Sequence, residues 1–285
     1  MSTQITTAFV NQFSANVTML SQQQGSLLRA TVDTETVNGE KAFFDQIGSA
    51  AAAIRTTRHG DTPLMETPHD RRMVTLNDYE YADLIDDQDK IRMLASPESN
   101  YAKAASFAMG RAMDDAIIAA FNATAKTGKA GTTNTALPAG NVIAHGSAGL
   151  TVAKLISAKK LLDAGSVDPS IQRYIVVSPE QIEDLLNTTS VTSSDFNTVK
   201  ALATGNVDSF VGFKFIVSNR LKDDGTSRQC YAWAQDGMKL AIGKDVKAEI
   251  TQRADKSYAT QVYYCASFGA TRMEEAKVIQ VLCNE

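Results

Sequence analysis

The chain has 285 residues and a formal net charge of −4, with 44% hydrophobic and 21% charged residues. That is enough for one large domain or two modest ones with a buried core, and the balance does not fit a disordered chain. No run of about 18 apolar residues exists, which excludes a membrane-spanning helix, and the mild acidity argues against a protein that wraps nucleic acid with a basic face.

The opening stretch, MSTQITTAFVNQF, has no basic flank ahead of an apolar block and does not read as a signal peptide. Ile5, Phe9, Phe13, Val17 and Leu20 recur at helical spacing, a narrow apolar stripe that ends at Gly25. Such a stripe docks on a core, its own or a neighbour's. From Leu27 to Gly48 the pattern is extended, and Asn38–Gly39 between LLRATVD and EKAFFDQIG is a hairpin signal.

After Gly48 the composition turns polar: SAAAAIRTTRHGDTPLMETPHDRR offers little that could build a core. MVTLNDYEYADLI then returns to extended spacing. Residues 40–78 therefore read as a two-stranded arm with a polar tip. An isolated hairpin is marginal in water, so the arm needs a partner to lie on. Its candidate contact residues are the mixed charges Arg55, Arg58, Asp61, Glu66, Asp70, Arg71 and Arg72.

A long helix follows over 97–126. Ser96 fits the N-cap, Pro97 the first helical position and Gly128 the stop. About thirty residues make a rod of roughly 45 Å. Ala105, Met109, Met113, Ile117 and Phe121 form one apolar stripe; Lys103, Ser106, Gly110 and Asp114 form the polar face, with Arg111 and Asp115 placed to pair. Residues 127–149 read as a loop. A helix from Thr151 to Ala164 stops at Gly165, a buried strand covers Arg173–Ser178, and Ser178-Pro179-Glu180-Gln181 opens a helix with a capping box. The last third is extended through Tyr231–Ala234, Met238–Ile242, Thr260–Phe268 and Val278–Cys283. The fold class is α+β.

Sites of chemistry are not legible. Gly237 to Lys244 departs from phosphate-loop spacing, with Asp245 where a hydroxyl must hold magnesium. Asp83, Asp86, Asp87 and Asp89 lack the glycine and terminal glutamate of a calcium loop. His59, His69 and His145 stand in polar sequence without metalloprotease or nucleophile-elbow spacing. Cys230, Cys265 and Cys283 form no CxxC pair and read as buried free thiols of a reducing compartment. No catalytic, cofactor or metal residue is assigned, and the reading is of a non-enzyme.

The order of these segments resembles the major capsid protein of tailed bacteriophages, whose fold recurs in herpesvirus capsid floors. GEKAFFDQIG and RRMVTLNDYEYADLI resemble the extended loop, IRMLASPESNYAKAASFAMGRAMDDAIIAAF the spine helix and its lead-in. RYIVVSPEQIEDLL and GNVDSFVGFKFIVSNRL resemble the axial domain, and AWAQDGMKLAIGKDVKAEI the return to the peripheral domain. The resemblance implies an N-terminal arm over 1–39, with Phe9, Phe13 and Val17 as inter-subunit contacts, and an extended loop over 40–78. A peripheral domain then covers 79–149 around the spine helix, an axial domain 150–247, and peripheral return strands 248–285.

It further implies self-assembly through pentamers and hexamers into an icosahedral shell around double-stranded DNA, without sequence-specific binding or a membrane. Assembly takes place in the host cytoplasm and ends in the virion capsid. A portal is a further partner, and a decoration protein fits the same scheme. Because the arm begins almost at once, no fused scaffolding domain is expected and a separate scaffolding protein takes that role. No lysine occurs between Gly48 and Asp89, so the covalent loop crosslink of one branch of the family is not expected. The residues by themselves leave two other classes open: a tail-tube or baseplate component, and a soluble small-molecule-binding protein or enzyme using the central loops.

Overall fold

The computed structural model describes residues 21–58, 60–62, 64–86, 98–187 and 209–285. The stripe of Phe9, Phe13 and Val17, the helix start at Ser96–Pro97, Asp87, Asp89 and His59 lie outside the described residues. Contacts divide the chain into two compact units: Met1–Ser26, Asp78–Arg111 and Asp245–Ala266 in one, Leu27–Asn77, Ala112–Lys244 and Ser267–Glu285 in the other.

The larger unit is built on a six-stranded sheet. Its strands are β7 (Val142–Ile143), β8 (Arg173–Val177), β9 (Ser209–Phe210), β10 (Phe213–Val217), β11 (Ser227–Ala234) and β14 (Val278–Asn284), in the order β7-β14-β11-β8-β10-β9. Every residue of β8, RYIVV, is buried, as a central strand flanked on both edges requires: it runs parallel to β10 and antiparallel to β11. Residues 278–284 pair with β11 and β7 in this sheet. Val278, Ile279, Val281 and Cys283 are buried there, so the strand joins the sheet that can cover its apolar side chains.

Two helices serve this sheet. Helix α2 spans Val152–Ala164, with the Thr151 hydroxyl accepting from the Lys154 amide at 3.3 Å and Gly165 at its C-cap, as the sequence reading expects. Helix α3 spans Pro179–Asn187. Only half of the anticipated capping box forms: the Gln181 side chain accepts from the Ser178 amide at 2.9 Å, while the Ser178 hydroxyl turns away to Glu285.

The long helix α1 spans Glu98–Asn122, about 38 Å of rod. Its stripe Ala105, Met109, Met113, Ile117 and Phe121 is buried throughout, matching the sequence reading. Phe121 stacks on Tyr231 at 4.8 Å and tilts against Trp233 at 4.7 Å, and Trp233 donates to the Thr31 carbonyl at 3.0 Å. Burial pushes the Tyr231 hydroxyl up to about 12.

The expected polar face is different. Asp114 is fully buried, and its carboxylate accepts from the amides of Leu27 at 3.0 Å and Leu28 at 3.1 Å. A side chain at Gly110 would place its Cβ 2.4 Å from the Gly25 carbonyl carbon, so the chain at Gly25–Ser26 lies against this glycine. Arg111 reaches Gln22 and Gln23, and Asp115 binds Arg220, so these two neighbours pair separately rather than with each other. The helix also ends six residues before Gly128. Arg272, fully buried, donates from Nη1 to the carbonyls of Phe121 at 2.7 Å and Ala123 at 3.1 Å and so caps that end with a cation.

The presumed loop 127–149 contains short strands. Strands β2 (Lys41–Ile47), β3 (His69–Thr75), β5 (Ala125–Thr127) and β6 (Thr133–Thr135) form a sheet in the order β2-β3-β5-β6. At Asn38–Gly39 the chain bends, with Gly39 at φ 106°, but forms no hairpin. Strand β1 (Asp33–Thr36) pairs in parallel with β12 (Met238–Arg253), while β2 pairs with β3. A two-residue turn sets chain direction only; pairing follows burial, and Val37, Phe44, Val74 and Ala241 share one core cluster.

In the smaller unit lie most of β4 (Asn77–Ile85), the outer part of β12 and the first part of β13 (Ala259–Arg272). The sheet order is β1-β12-β13-β4, and β12 and β13 contribute to both units. Strand β12 runs far beyond its apolar segment at 238–242, whereas β13 extends the segment at 260–268 only from 259 to 272. Cys230 and Cys283 are buried free thiols as expected; Cys265 is partly exposed.

Candidate assembly surface

The arm expected over 40–78 is the β2–β3 hairpin. Its strands pair antiparallel from Lys41 opposite Thr75 to Ile47 opposite His69, and the connection covers residues 48–68. The last buried pair along it is Phe44 opposite Arg72. Beyond that pair, no described residue from 45 to 71 is buried. This segment has no core of its own, and at its base the Arg71 carbonyl accepts from the Gly128 amide at 3.2 Å.

The candidate charges separate into two groups. Arg55, Arg58, Asp61 and Glu66 are exposed in the connection, and Arg55 donates to the nearby Thr57 carbonyl, at 3.0 Å. Asp70 accepts from the Arg71 and Gly128 amides, and Arg71 lies directly opposite Asp45 and binds it at 2.5 Å on the surface. Arg72 points inward and is 4% exposed. It donates to the Met273 carbonyl at 2.8 Å and to Glu275 at 2.6 Å. The structure therefore places Arg55, Arg58, Asp61 and Glu66 in the exposed connection, Asp70 and Arg71 on the surface at its base beside Gly128, and Arg72 in the subunit interior.

Sequence reading missed the apolar residues of the tip. Ile47, Ile54 and Leu64 are 70%, 90% and 95% exposed, and Met65 is also exposed. The signal was present in SAAAAIRTTR and TPLMET but has no period, so it reads as composition rather than as a face.

The smaller unit has its own open surface. From Asp245 to Gln252 every residue of β12 is exposed, on both faces of the strand. Val246, Ala248 and Ile250 share one face and Asp245, Lys247 and Glu249 the other, by strand alternation. The turn into β13 holds Ser257 and Tyr258 at positive φ, 51° and 59°, and Tyr258 is 63% exposed. Beside it the Arg253 guanidinium holds the Asp255 carboxyl down at about 2.

Among the described residues, no group of His, Cys, Asp and Glu could hold a metal ion, and no helix is long and apolar enough to cross a membrane. His69 is exposed on β3, and His145 accepts from the Ser147 amide through Nδ1 at 3.1 Å.

Known proteins carry the same architecture. The chain aligns over its whole length with a capsid structure of the cyanophage P-SCSP1u, with TM-score 0.77, 17% identity and 96% of that chain covered. It aligns over 96% of its length with a structure of Mycobacterium phage Che8, with TM-score 0.71, 16% identity and 97% of that chain covered. A capsid of a native GTA particle matches 98% of this chain and 96% of its own, at TM-score 0.72 and 12% identity. No curated protein matches. The model of the family described as phage capsid protein matches residues 5–285. With that match spanning nearly all of a chain whose fold is the capsid fold, the protein belongs to the phage capsid protein family, as a major capsid protein of the head shell.

Proposed function

We propose that the subunits assemble as pentamers and hexamers, and that the hairpin beyond Phe44–Arg72 is the arm by which each copy holds its neighbour. One observation carries this reading: residues 45–71 include no buried described residue yet expose Ile47, Ile54 and Leu64. A hairpin of that kind is marginal alone and becomes stable when laid on another surface, where its aliphatics leave water. Arg55, Arg58, Asp61, Glu66 and the Arg71–Asp45 pair fix register between copies more than they add affinity. The smaller unit, with α1 as spine, serves as the peripheral domain, and the six-stranded sheet as the axial domain. The protein works as a structural subunit without catalysis, with a separate scaffolding protein and a portal. It encloses DNA without reading its sequence and assembles in the host cytoplasm.

Deleting residues 52–69 tests the reading. The shortened chain should fold, with unchanged far-ultraviolet circular dichroism, but remain as small oligomers in sizing and electron microscopy. Closed shells of normal heat resistance from that variant would refute the role of the arm.

A further inference from the structure

We propose that Glu275 and Arg72 are positioning residues that fix the direction of the arm by tying its last buried strand position to the capped end of the spine helix. This deepens the assembly reading above, on which its bearing for the shell rests. The Glu275 carboxylate bridges two guanidinium groups. Oε2 accepts from Arg72 at 2.6 Å and Oε1 pairs with Arg272 at 3.4 Å. Arg272 binds the helix carbonyls of Phe121 and Ala123, and also that of Thr135 at 3.0 Å. A continuous polar chain thus runs from the end of α1 through Arg272 and Glu275 to Arg72 on β3. Asn141 holds the Glu275 carbonyl at 2.5 Å, and Gln46, on the facing strand, donates to the Met273 carbonyl at 2.5 Å.

The two arginines are not equally dependent on Glu275. Arg272 has three backbone carbonyls besides its weaker contact with the carboxylate. Among the described residues Arg72 has the Met273 carbonyl and Glu275, and its buried Nη1 has no partner there. Removing the carboxylate charge leaves two buried cations facing each other, and the one with fewer bonds gives way. That one belongs to the arm. Its position makes the effect directional: inside the Phe44–Arg72 pair the apolar cluster of Val37, Val74 and Ala241 still holds the strands, and outside it no described residue is buried. The pair is a pivot: just beyond it Gln46 on Met273 and the Gly128 amide on Asp70 and Arg71 add neutral-donor ties, and the Glu275 carboxylate supplies the buried charged one.

Amide exchange of the unassembled full-length subunit tests the lock. In Glu275→Gln, protection at Asp45–Ile47 and His69–Arg71 should fall by about ten-fold or more, the loss expected for a charge-assisted bond. Protection in β11 and β14 should stay unchanged. Arg72→Met provides a second test should Glu275→Gln fail to fold, since it removes one cation and leaves a balanced Glu275–Arg272 pair; the same local loss is expected. Glu275→Asp should restore part of the protection, whereas a purely space-filling role would leave it no better than glutamine. Unchanged protection in the hairpin, or an equal loss across β11 and β14, overturns the proposal. A loosened hairpin in subunits that still give normal shells upholds the lock and refutes the assembly role of the arm.

Discussion

Asp114 offers the sharpest test of how the spine helix is held. Its carboxylate, fully buried, accepts from the amides of Leu27 and Leu28 at 3.0 and 3.1 Å. Asp114→Ala leaves both N–H groups without that acceptor. Leu28 is itself fully buried, so its amide bears the full cost of an unmade charge-assisted bond, about 1.5–3 kcal/mol. Leu27 is partly exposed and its amide can turn to water, which puts its share at the low end. The sum is about 3–4 kcal/mol. For a chain of this size each kcal/mol lowers the melting temperature by roughly 2 °C, so the midpoint should fall by about 6–8 °C. Asp114→Asn keeps one oxygen acceptor and should lose roughly half as much. The assay is thermal unfolding of unassembled subunit, because assembly would mask the difference by mass action. A loss below about 0.5 kcal/mol, the level of an ordinary surface substitution, would refute the view that Asp114 anchors the chain entering the larger unit.

Other expectations follow from the same geometry. Gly110→Ala would raise helix propensity by about 1 kcal/mol in an exposed helix; here the new Cβ meets backbone at Gly25 and Ser26, so urea denaturation should show a net loss of about 1–3 kcal/mol. Glu285 is held down at about 2, first by Arg228 and then by Gln181 and Ser178. A depressed carboxyl pKa contributes stability that is complete above the ordinary value of 4.5 and disappears as pH falls towards 2. Arg228→Met should therefore be less stable than the parent at pH 7, with the gap closing between pH 5 and pH 2; a gap that is constant with pH would refute the linkage. Mature shells should dissociate to monomer in hot SDS, since no lysine lies between Gly48 and Asp89 to donate a crosslink. A ladder of covalent oligomers on the gel would contradict that.

What the sequence revealed follows from which forces act locally. The stripe on α1 from Ala105 to Phe121 and the stops of α2 depend on residues a few positions apart, and both were legible. Asp114 was misread as surface because its partners, Leu27 and Leu28, lie 87 and 86 residues away. The end of α1 was set late for the same reason: the cation that caps it, Arg272, comes from the far end of the chain. Asn38–Gly39 marked a change of chain direction but not the hairpin it suggested, because strand partners are chosen by burial across the whole sheet. The hairpin at 41–75 was legible from its two apolar runs and polar middle, whereas Arg72 looked no different in sequence from Arg71. Strand alternation separates them, one outward to Asp45 and one inward to Glu275.

The place of β14 between β7 and β11 has a consequence for synthesis. While the ribosome is still adding residues 278–284, the six-stranded sheet lacks an internal member, and the flanks of β7 and β11 present open backbone and apolar side chains. A subunit therefore acquires its finished sheet only after nearly all of this sequence has emerged. Until then the backbone edges that β14 will fill stay open to pairing with other chains, the exposure that incomplete sheets carry in general.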